Sequence, residues 1–480
     1  MLTKVESFFR KNFPYEPTPG QEELISLLSN FVVNRSDDGV FIIKGYAGTG
    51  KTSIVTALIK VIKRLGKEVV LLAPTGRAAK VLSNYSNFEA STIHRKIYQP
   101  VIGPNGSPGF KLKPKYPENT FFIVDEASMI SSGAPQNDNE LFGARDILND
   151  LIDFVYKGVD CNLILIGDTA QLPPVKMSQS PALSAKYLSE NFGLTVKVHE
   201  LTDVVRQELT SGILANATDL REILSDPKIT QPNFNVNGKD VKRMNMMDLE
   251  EQLQTCFSGS TMNDSVIICR SNKSANKYNQ YVRSKILFRE EEISGGDHLM
   301  VLKNNYFWLE DGSEAGFIAN GDCLRISRII KHKTIEEFRF IFAEVEMLDY
   351  QSQNPFECWL MLNTLASETP ALAYKDLQRL LEVIIKDSGG VKSKKDIVAL
   401  IGSNPYYNAL QIKFSYAVTC HKAQGGQWKN VVVDPGYFVP DMLNEDYVRW
   451  LYTAITRASS QLYLVNFVPS FFGEVNPTYH

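Results

Sequence analysis

The sequence predicts an α/β protein with two parallel-sheet domains and two inserted segments. Short apolar runs without internal proline alternate with helical or irregular sequence, which is typical of parallel strands buried on both faces. A similar set of runs returns later in the chain, and 480 residues are too many for one hydrophobic core. The predicted strands are 40–43, 69–73, 121–124 and 163–166 in the first domain and 266–269, 414–418, 431–433 and 462–465 in the second.

Two insertions interrupt this plan. The first holds turn-forming residues between two short extended arms, which predicts a β-hairpin. The second begins with strand-like runs at spacings that suit a small antiparallel barrel and ends with two helical segments. The predicted bounds are 1–97 with 118–200 for the first domain, 98–117 for the hairpin, 201–292 with 409–480 for the second domain, and 293–408 for the second insertion.

The composition indicates a globular protein of a reducing compartment. Hydrophobic residues make up 44% and charged residues 22% of the chain, with no apolar run as long as a membrane-spanning helix and no cleavable leader at the start. The six cysteines are scattered without a CxxC pair and are expected to be reduced thiols. These features predict a cytoplasmic location. The net charge of −3 argues against a protein that coats nucleic acid, so any such contact needs a local groove.

A glycine-rich loop at residues 45–52 reads GYAGTGKT and matches the pattern GxxxxGK[ST]. A predicted strand precedes it and apolar residues at helical spacing follow it, which is the context that a phosphate-binding loop needs. The glycines let backbone N–H groups turn toward phosphate oxygens. Lys51 would reach the β and γ phosphates, and the Thr52 hydroxyl would bind Mg²⁺. A glycine-rich turn with a chance match is the alternative, but the flanking strand and helix favour nucleotide binding.

Polar side chains follow two further strands of the first domain. Asp125, after the third predicted strand, can hold a metal ion, and Glu126 beside it can accept a proton from an attacking water. A solvated acidic turn is the alternative, and the apolar strand directly before the pair favours function. Asp168 and Gln171 follow the fourth strand at the same edge of the sheet, where open α/β folds bind their ligands.

Two arginines are candidates for contact with the γ phosphate. Arg206 and Arg457 lie far from the glycine loop in sequence and are assigned to the second domain or its junction. An arginine that reaches the γ phosphate across a domain cleft contributes about 10³–10⁵ in rate. Most arginines are solvated surface residues, so the residues alone leave both interpretations open.

Further motifs occur in a fixed order along nearly the whole chain. They are TPGQ at 18–21, GYAGTGKT at 45–52, APTGRAA at 73–79, STIH at 91–94, VDEAS at 124–128, GDTAQLPPV at 167–175, VVRQ at 204–207, AVTCHKAQG at 417–425 and YTAITRA at 452–458. By these motifs the chain resembles the superfamily 1 DNA helicases of the RecD-like branch. The resemblance implies two RecA-like domains, an inserted hairpin that acts as a pin, and an inserted SH3-like barrel that carries a helical extension.

The same resemblance assigns roles to individual residues. Gln21 would contact adenine, Gln171 would couple hydrolysis to movement, and the two arginines would bind the γ phosphate. The implied sets are Lys51, Glu126, Gln171, Arg206 and Arg457 for catalysis; Gln21, Gly45, Gly48, Thr49, Gly50, Lys51, Thr52 and Ser53 for ATP; Thr52 and Asp125 for Mg²⁺; and Thr75, Thr92, His94, Thr419 and His421 for single-stranded DNA. For the two histidines, a structural role is the alternative.

The function implied by the resemblance is ATP-dependent movement 5′ to 3′ along single-stranded DNA, with separation of duplex that has a 5′ single-stranded tail. A monomer, with repair or replication proteins as further partners, is expected; the direction comes from the resemblance alone. A nucleotide-gated nucleic-acid clamp and an RNA-directed helicase of the same fold remain alternatives, and the barrel insertion is open to a protein-docking role. One departure is Gln427, where members often have glutamate, which leaves a ribose or coupling contact open.

Overall fold

One parallel sheet organises the first part of the chain, as the apolar runs predict. The computed structural model describes residues 1–102, 108–133, 146–205, 211–226, 228–310, 313, 315, 317–350, 353–369, 371–390 and 393–474. Before residue 202 its strands are β1 (Gly39–Gly45), β2 (Glu68–Ala73), β3 (Ala90–Thr92), β4 (Tyr98–Ile102), β5 (Pro108–Leu112), β6 (Thr120–Val124), β7 (Asn162–Gly167) and β8 (Thr195–Leu201). The sheet has the order β3-β2-β6-β7-β1-β8, and every neighbouring pair is parallel. The four strands predicted for this domain are confirmed.

Helices cover both faces of this sheet. In the described segments they are α1 (Leu2–Asn12), α2 (Pro19–Val33), α3 (Lys51–Arg64), α4 (Gly76–Ser86), α5 (Ile93–Ile97), α6 (Ile147–Tyr156) and α7 (Ala185–Phe192). Helices α1 to α4 share a core with one face, which includes Phe41 and Ile164. Helices α5 to α7 share a core with the other face, which includes Val40 and Leu163. Because each central strand is covered on both sides, its sequence is apolar without alternation.

The first insertion forms the predicted hairpin. Strands β4 and β5 pair antiparallel, from Tyr98 opposite Leu112 to Ile102 opposite Pro108. The pairing continues beyond β5, since the N–H of Lys113 donates to the carbonyl of Ile97 at 2.8 Å. Residues 103–107, which connect the two strands, lie outside the described residues.

The second part of the chain contains a smaller parallel sheet and a closed barrel, as predicted. Its strands are β9 (Val241–Met244), β10 (Ser265–Cys269), β11 (His298–Val301), β12 (Cys323–Ile335), β13 (Phe338–Met347), β14 (Phe356–Met361), β15 (Leu410–Phe414), β16 (Ala417–Thr419), β17 (Trp428–Asp434) and β18 (Ala458–Val465). The sheet has the order β16-β10-β17-β18-β9 with parallel neighbours. Strands β11 to β15 close the barrel, in which all pairs except β14 with β15 are antiparallel.

Helices surround this second sheet and one side of the barrel. Around the sheet lie α8 (Gly212–Ser225), α9 (Met246–Phe257), α10 (Asn272–Tyr281), α13 (Cys420–Ala423) and α14 (Glu445–Ile455), and beside the barrel lie α11 (Tyr374–Asp387) and α12 (Lys394–Ser403). The helical extension of the second insertion is therefore confirmed. Among the helices of the described ranges, none combines the length and apolar character that a bilayer span requires.

The predicted strand 414–418 is wrong. The structure divides this run between two sheets: β15 ends at Phe414 in the barrel, and β16 starts at Ala417 in the second domain. Both halves are buried, so the run is apolar throughout although the chain changes sheet within it. Because β15 closes the barrel by pairing with β11 and β14, we propose that the second insertion extends to residue 414 rather than to 408.

Buried charges fix the point where the barrel leaves the second domain. Asp297, fully buried before β11, forms ion pairs with Arg283 at 3.0 Å and Arg289 at 2.5 Å. The hydroxyl of Tyr416, where the chain returns, donates to the same carboxylate at 2.9 Å, and the N–H of Ser294 donates to it at 2.8 Å. Both crossings of the chain therefore converge on one carboxylate. A single apolar core also continues from the second sheet into the barrel, so the barrel is anchored to the second domain.

Replacement of Asp297 by asparagine is expected to lower the free energy of unfolding by about 3–5 kcal/mol, because it leaves the buried guanidinium of Arg283 and the partly buried guanidinium of Arg289 without their carboxylate. Urea unfolding of the full chain measures this loss. Asp264→Asn is the matched control, since Asp264 forms an exposed ion pair with Lys429 at 2.8 Å that is worth at most about 1 kcal/mol. Equal losses in the two variants would contradict the anchoring role of Asp297.

Candidate active site

The glycine loop connects β1 to the N-terminus of α3. Gly48 and Gly50 adopt φ angles of 76° and 81°, in the left-handed region that glycine enters without strain. A Cβ at Gly50 would lie 2.5 Å from Nε2 of Gln21, so a larger residue there would displace the Gln21 amide in addition to straining the backbone. The first turn of α3, with Thr52 and Ser53, presents N–H groups without helical partners at the positive end of the helix dipole. The loop therefore fits an anion such as a phosphate.

Lys51 is held beside this loop by its backbone. Its Nζ donates to the carbonyl of Gly45 at 2.6 Å and to that of Tyr46 at 2.7 Å. The Oγ1 of Thr49 donates to the same Tyr46 carbonyl at 2.8 Å, which closes the turn. An ammonium group has three donors, so one is left for a phosphate oxygen. The structure thus brings the predicted loop residues together around one turn of backbone.

Gln21 approaches the loop from α2. It is 1% exposed, and its Nε2 donates to the carbonyl of Thr49 at 2.9 Å, while its Oε1 accepts from the N–H of Thr18 at 3.0 Å. The side chain thus completes the cap of α2 and supports the loop. Because both amide atoms are hydrogen-bonded, the predicted contact with adenine requires one of these bonds to break.

The two predicted metal ligands lie on either side of one tyrosine. The hydroxyl of Tyr85, on α4, donates to Oδ2 of Asp125 and also interacts with Thr52. Within the described ranges, no group of three acidic, histidine or cysteine side chains forms a metal site. One hydroxyl and one carboxylate, completed by phosphate oxygens, are instead the kind of oxygen ligands that Mg²⁺ takes. The residues present therefore fit a magnesium ion that arrives with a nucleotide.

Glu126 faces the second domain. Its backbone has a φ of 55°, a left-handed conformation that costs a non-glycine residue about 1–3 kcal/mol and that clusters at functional sites. Its side chain is 22% exposed, and its Oε1 lies 3.9 Å from Nη1 of Arg457. Burial raises the pKa of Glu126 above its ordinary value, an effect that the positive charge of Arg457 opposes. A raised pKa suits a group that accepts a proton near neutral pH.

Arg457 is held in place by its own domain. Its Nε donates to the carbonyl of Thr453 at 3.1 Å, its Nη1 to the carbonyl of Gly426 at 3.3 Å, and its Nη2 to Oγ1 of Thr456 at 3.2 Å. The residue is 4% exposed. These bonds fix the planar guanidinium in advance, so little side-chain entropy is lost when it meets a ligand.

The loop after β7 lies between the two domains. Asp168 and Gln171 are both buried there. The next residue is tied to the second domain: the N–H of Leu172 donates to Oγ1 of Thr453 at 2.8 Å, and its carbonyl accepts from Nε2 of Gln424 at 2.7 Å. In the part of the chain that the structure describes, Oε1 of Gln171 has no hydrogen-bond partner. A buried acceptor of this kind calls for a ligand or a water.

Helix α14 places Tyr452 against the glycine loop. Its hydroxyl accepts from the N–H of Ala47 at 2.9 Å and donates to Oδ2 of Asp168 at 2.6 Å. Burial raises the pKa of Tyr452 well above its ordinary value, so the hydroxyl stays protonated and remains a donor. One side chain of the second domain thus joins two loops of the first.

Three of the five predicted nucleic-acid contacts are threonines at the starts of helices. Thr75 precedes α4 and Thr92 precedes α5, and each Oγ1 accepts from an N–H of the following turn at 3.2 Å. Thr419 precedes α13 without such a bond. A Cβ at Gly425 would lie 3.2 Å from Oγ1 of Thr75, so the threonine of the first domain adjoins the second. Threonine hydroxyls and backbone N–H groups are typical contacts of nucleic-acid phosphates.

The two predicted histidines differ in their surroundings. The ring of His94 lies 5.5 Å from that of Tyr98, and burial lowers its pKa to about 4. His94 is therefore neutral at neutral pH and offers a hydrogen bond or a stacking surface rather than a charge. His421 is exposed, and its neighbour Lys422 donates to Oδ1 of Asn320, before the barrel strand β12, at 2.6 Å.

One predicted site residue lies outside the described residues, and the site contains two tyrosines that were not predicted. Arg206 lies outside the described residues, although the N–H of Val205 donates to the carbonyl of Gly48 at 3.0 Å. Neither Tyr85 nor Tyr452 is among the residues predicted from the sequence. Tyr452 occurs in the motif YTAITRA, so its sequence position could have marked it as a candidate. Tyr85 belongs to none of the motifs.

Residues 18–223 match the family described as AAA domain, and residues 414–465 match the UvrD-like helicase C-terminal domain. The chain is 25% identical over 501 residues to an uncharacterised protein of Acanthamoeba polyphaga mimivirus. The aligned region covers 90% of this chain and 96% of that protein. It is 27% identical over 329 residues to the ATP-dependent DNA helicase dda of Enterobacteria phage T4, at 64% of this chain and 67% of that protein.

A third relative is the ATP-dependent RecD2 DNA helicase of Deinococcus radiodurans. It is 32% identical over 199 residues, which are 42% of this chain and 23% of that protein. Both family matches fall on the two parallel-sheet domains, and they include the glycine loop and Arg457. By these matches the chain is similar to the superfamily 1 helicases of the RecD-like branch.

Proposed function

We propose that this chain is an ATP-dependent DNA helicase that moves 5′ to 3′ along single-stranded DNA and separates the duplex ahead of it. The observation that carries the proposal is the 3.9 Å approach of Arg457, on the second domain, to Glu126, on the first. A protein that only binds a nucleotide needs one domain, whereas a motor needs a cleft that closes and opens with hydrolysis. The direction of movement is taken from the family resemblance.

The residues at the cleft divide the work of hydrolysis. The loop N–H groups and Lys51 hold the phosphates, and Glu126 takes a proton from the attacking water. Arg457 offsets the negative charge that develops on the γ phosphate. When bound by Thr52 and Asp125, Mg²⁺ would neutralise phosphate charge.

Two further residues are proposed to respond to the γ phosphate. Gln171 lies on a loop tied to the second domain, and its buried Oε1 has no partner among the described residues, which supports the proposal that it accepts from a water near the phosphates and couples hydrolysis to movement. Arg206 is proposed as a second arginine on the family resemblance, and the preceding residue, Val205, donates its N–H to the carbonyl of Gly48 in the glycine loop.

Helix α4 touches all three units of the chain, which supports a DNA track beneath the barrel. Its Lys80 donates to the carbonyl of Leu348, next to β13, at 2.5 Å. The guanidinium of Arg77 lies 3.8 Å from the ring centroid of Trp428 in the second domain. Thr75 begins the same helix. We propose that single-stranded DNA runs past Thr75 and the other predicted contacts, and that the hairpin of β4 and β5 is the pin that splits the duplex.

Two matched partial duplexes, one with a 5′ and one with a 3′ single-stranded tail, test the proposal directly. We expect ATP-driven separation of the 5′-tailed substrate alone, because the family branch implies movement from that end. Separation of only the 3′-tailed substrate would keep the motor and overturn the direction. Hydrolysis of ATP without opening of either would favour a nucleotide-gated clamp, and preference for RNA tails of the same sequence would favour an RNA-directed helicase.

We further propose a cytoplasmic location and a monomeric state. The location is supported by the six cysteines, all of which are buried and unbridged, as expected for a reducing compartment.

A further inference from the structure

Tyr452 connects the second domain to both loops that flank the cleft in the first domain. We infer that Tyr452 is a positioning residue that transmits closure of the cleft to the phosphate-binding backbone, an inference that rests on the proposed function. The residue is 1% exposed and lies on α14, so its ring is held by packing and its hydroxyl has a fixed position.

The first contact of Tyr452 is with the glycine loop. The N–H of Ala47, the third residue of GYAGTGKT, donates to the hydroxyl at 2.9 Å. The bonds of Thr49 to Tyr46 and of Val205 to Gly48 hold neighbouring parts of the loop without help from α14. The bond of Ala47 forms only when α14 is against the loop. This backbone group is therefore set by the position of the second domain.

The second contact of Tyr452 is with a buried carboxylate. The hydroxyl donates to Oδ2 of Asp168 at 2.6 Å, and the other oxygen of Asp168 accepts from the N–H of Ala170 at 2.9 Å. A hydrogen bond to a charged acceptor is about twice as strong as a neutral one. The single proton of the hydroxyl is thus committed to Asp168, which leaves its lone pairs directed toward Ala47. Phenylalanine at this position removes both bonds and keeps the ring.

Two neighbours of Tyr452 make further cross-domain contacts. Thr453 accepts from the N–H of Leu172, and Arg457, just after the helix, reaches Glu126. A movement of α14 therefore acts at the same time on the glycine loop, on the loop after β7 and on the catalytic carboxylate. Removal of the Tyr452 hydroxyl abolishes the effect on the glycine loop and leaves the contact of Arg457 with the catalytic carboxylate in place. We propose that single-stranded DNA favours the closed state of the cleft, so the loss should appear mainly when DNA is bound.

The test is the kcat and KM for ATP of Tyr452→Phe, measured with and without a single-stranded DNA oligonucleotide. We expect the ratio of DNA-stimulated to unstimulated kcat to fall about tenfold, which corresponds to the loss of one hydrogen bond to a charged group. Tyr447→Phe is the matched control. Tyr447 lies on the same helix and is 2% exposed, and its hydroxyl has no hydrogen-bond partner among the described residues. Its ratio should stay within about twofold of the wild-type value.

The outcomes separate this inference from the proposed function. If DNA stimulates ATP hydrolysis equally in the wild type and in Tyr452→Phe, the inference is overturned and the proposed function stands. An equal loss of kcat with and without DNA would also overturn it, because that result describes a merely structural residue. A wild type whose hydrolysis does not respond to DNA would overturn the inference together with the proposed function.

Asp168→Asn gives a second variant with an intact tyrosine. Because Asp168 orients the hydroxyl, we expect a similar fall in the stimulation ratio, and the double variant with Tyr452→Phe should fall no further than the lower single variant. Losses that multiply would overturn the coupling of the two residues. If Tyr452→Phe does not fold, an unchanged ratio in Asp168→Asn overturns the inference.

Discussion

Replacement of Arg457 by alanine is expected to lower the kcat of DNA-stimulated ATP hydrolysis by about 10³–10⁵, the effect of an arginine that reaches the γ phosphate across a cleft. Its guanidinium is 4% exposed, is held by two carbonyls of its own domain, and lies 3.9 Å from Glu126. A charge that is fixed before the reaction needs no reorganisation in the transition state, which is why its contribution is large. Lysine at this position keeps the charge but loses the forked geometry, so Arg457→Lys should recover only part of the rate.

Steady-state hydrolysis in saturating single-stranded DNA measures this effect, and Arg449→Ala is the matched control. Arg449 lies on the same helix α14 and also crosses to the first domain, where it donates to the carbonyl of Thr169. It pairs with Glu445 at 2.6 Å. Its loss removes a cross-domain contact and a positive charge without touching the catalytic carboxylate, so we expect less than about a tenfold change. Similar losses in Arg449→Ala and Arg457→Ala would assign Arg457 to domain docking rather than to catalysis.

The fold was predictable where burial alone determines the sequence. Central strands covered on both faces read as continuous apolar runs, and these were found. Strand β8 has no such run, because it lies at the sheet edge and leaves side chains such as Val198 exposed, while β3 has only three residues. The run 414–418 is the exception among the predicted strands. Hydrophobicity reports that Phe414 and Ala417 are buried but not that they belong to different sheets.

The candidate site was predictable where chemistry sits at the end of a strand within a local motif. Lys51, Asp125 and Glu126 are of this kind, and the structure brings them to one edge of the sheet. The bond of Asp168 to Tyr452 could not be predicted in this way, because it joins two domains and no spacing in the sequence encodes it. The approach of Arg457 to Glu126 follows from the same docking of α14. Contacts across the cleft therefore needed the three-dimensional structure.

Glu126→Gln is expected to lower kcat by about 10²–10⁴, the usual contribution of a general base, while ATP still binds. Glutamine has nearly the same shape and keeps a hydrogen-bond acceptor, but it cannot take a proton from water. The left-handed backbone at Glu126, with a φ of 55°, directs the carboxylate toward Arg457, and such strain persists only where the surrounding structure over-determines it. The substitution leaves that backbone unchanged, so its effect should be confined to the chemical step.

Single-turnover hydrolysis, together with equilibrium binding of ATP, separates the chemical step from binding. Glu200→Gln is the matched control, since Glu200 lies beside the same loop and accepts from the hydroxyl of Tyr46 at 2.7 Å but is exposed. It should hydrolyse ATP within about threefold of the wild-type rate, because its charge is screened by water. A wild-type single-turnover rate in Glu126→Gln would mean that another residue is the general base. A loss of ATP binding would mean that Glu126 acts in nucleotide binding rather than in the chemical step. If Glu126→Gln binds ATP but hydrolyses it slowly, the variant should remain bound to ATP with the cleft closed and Arg457 beside the γ phosphate. Its affinity for single-stranded DNA would then be the affinity of the closed state.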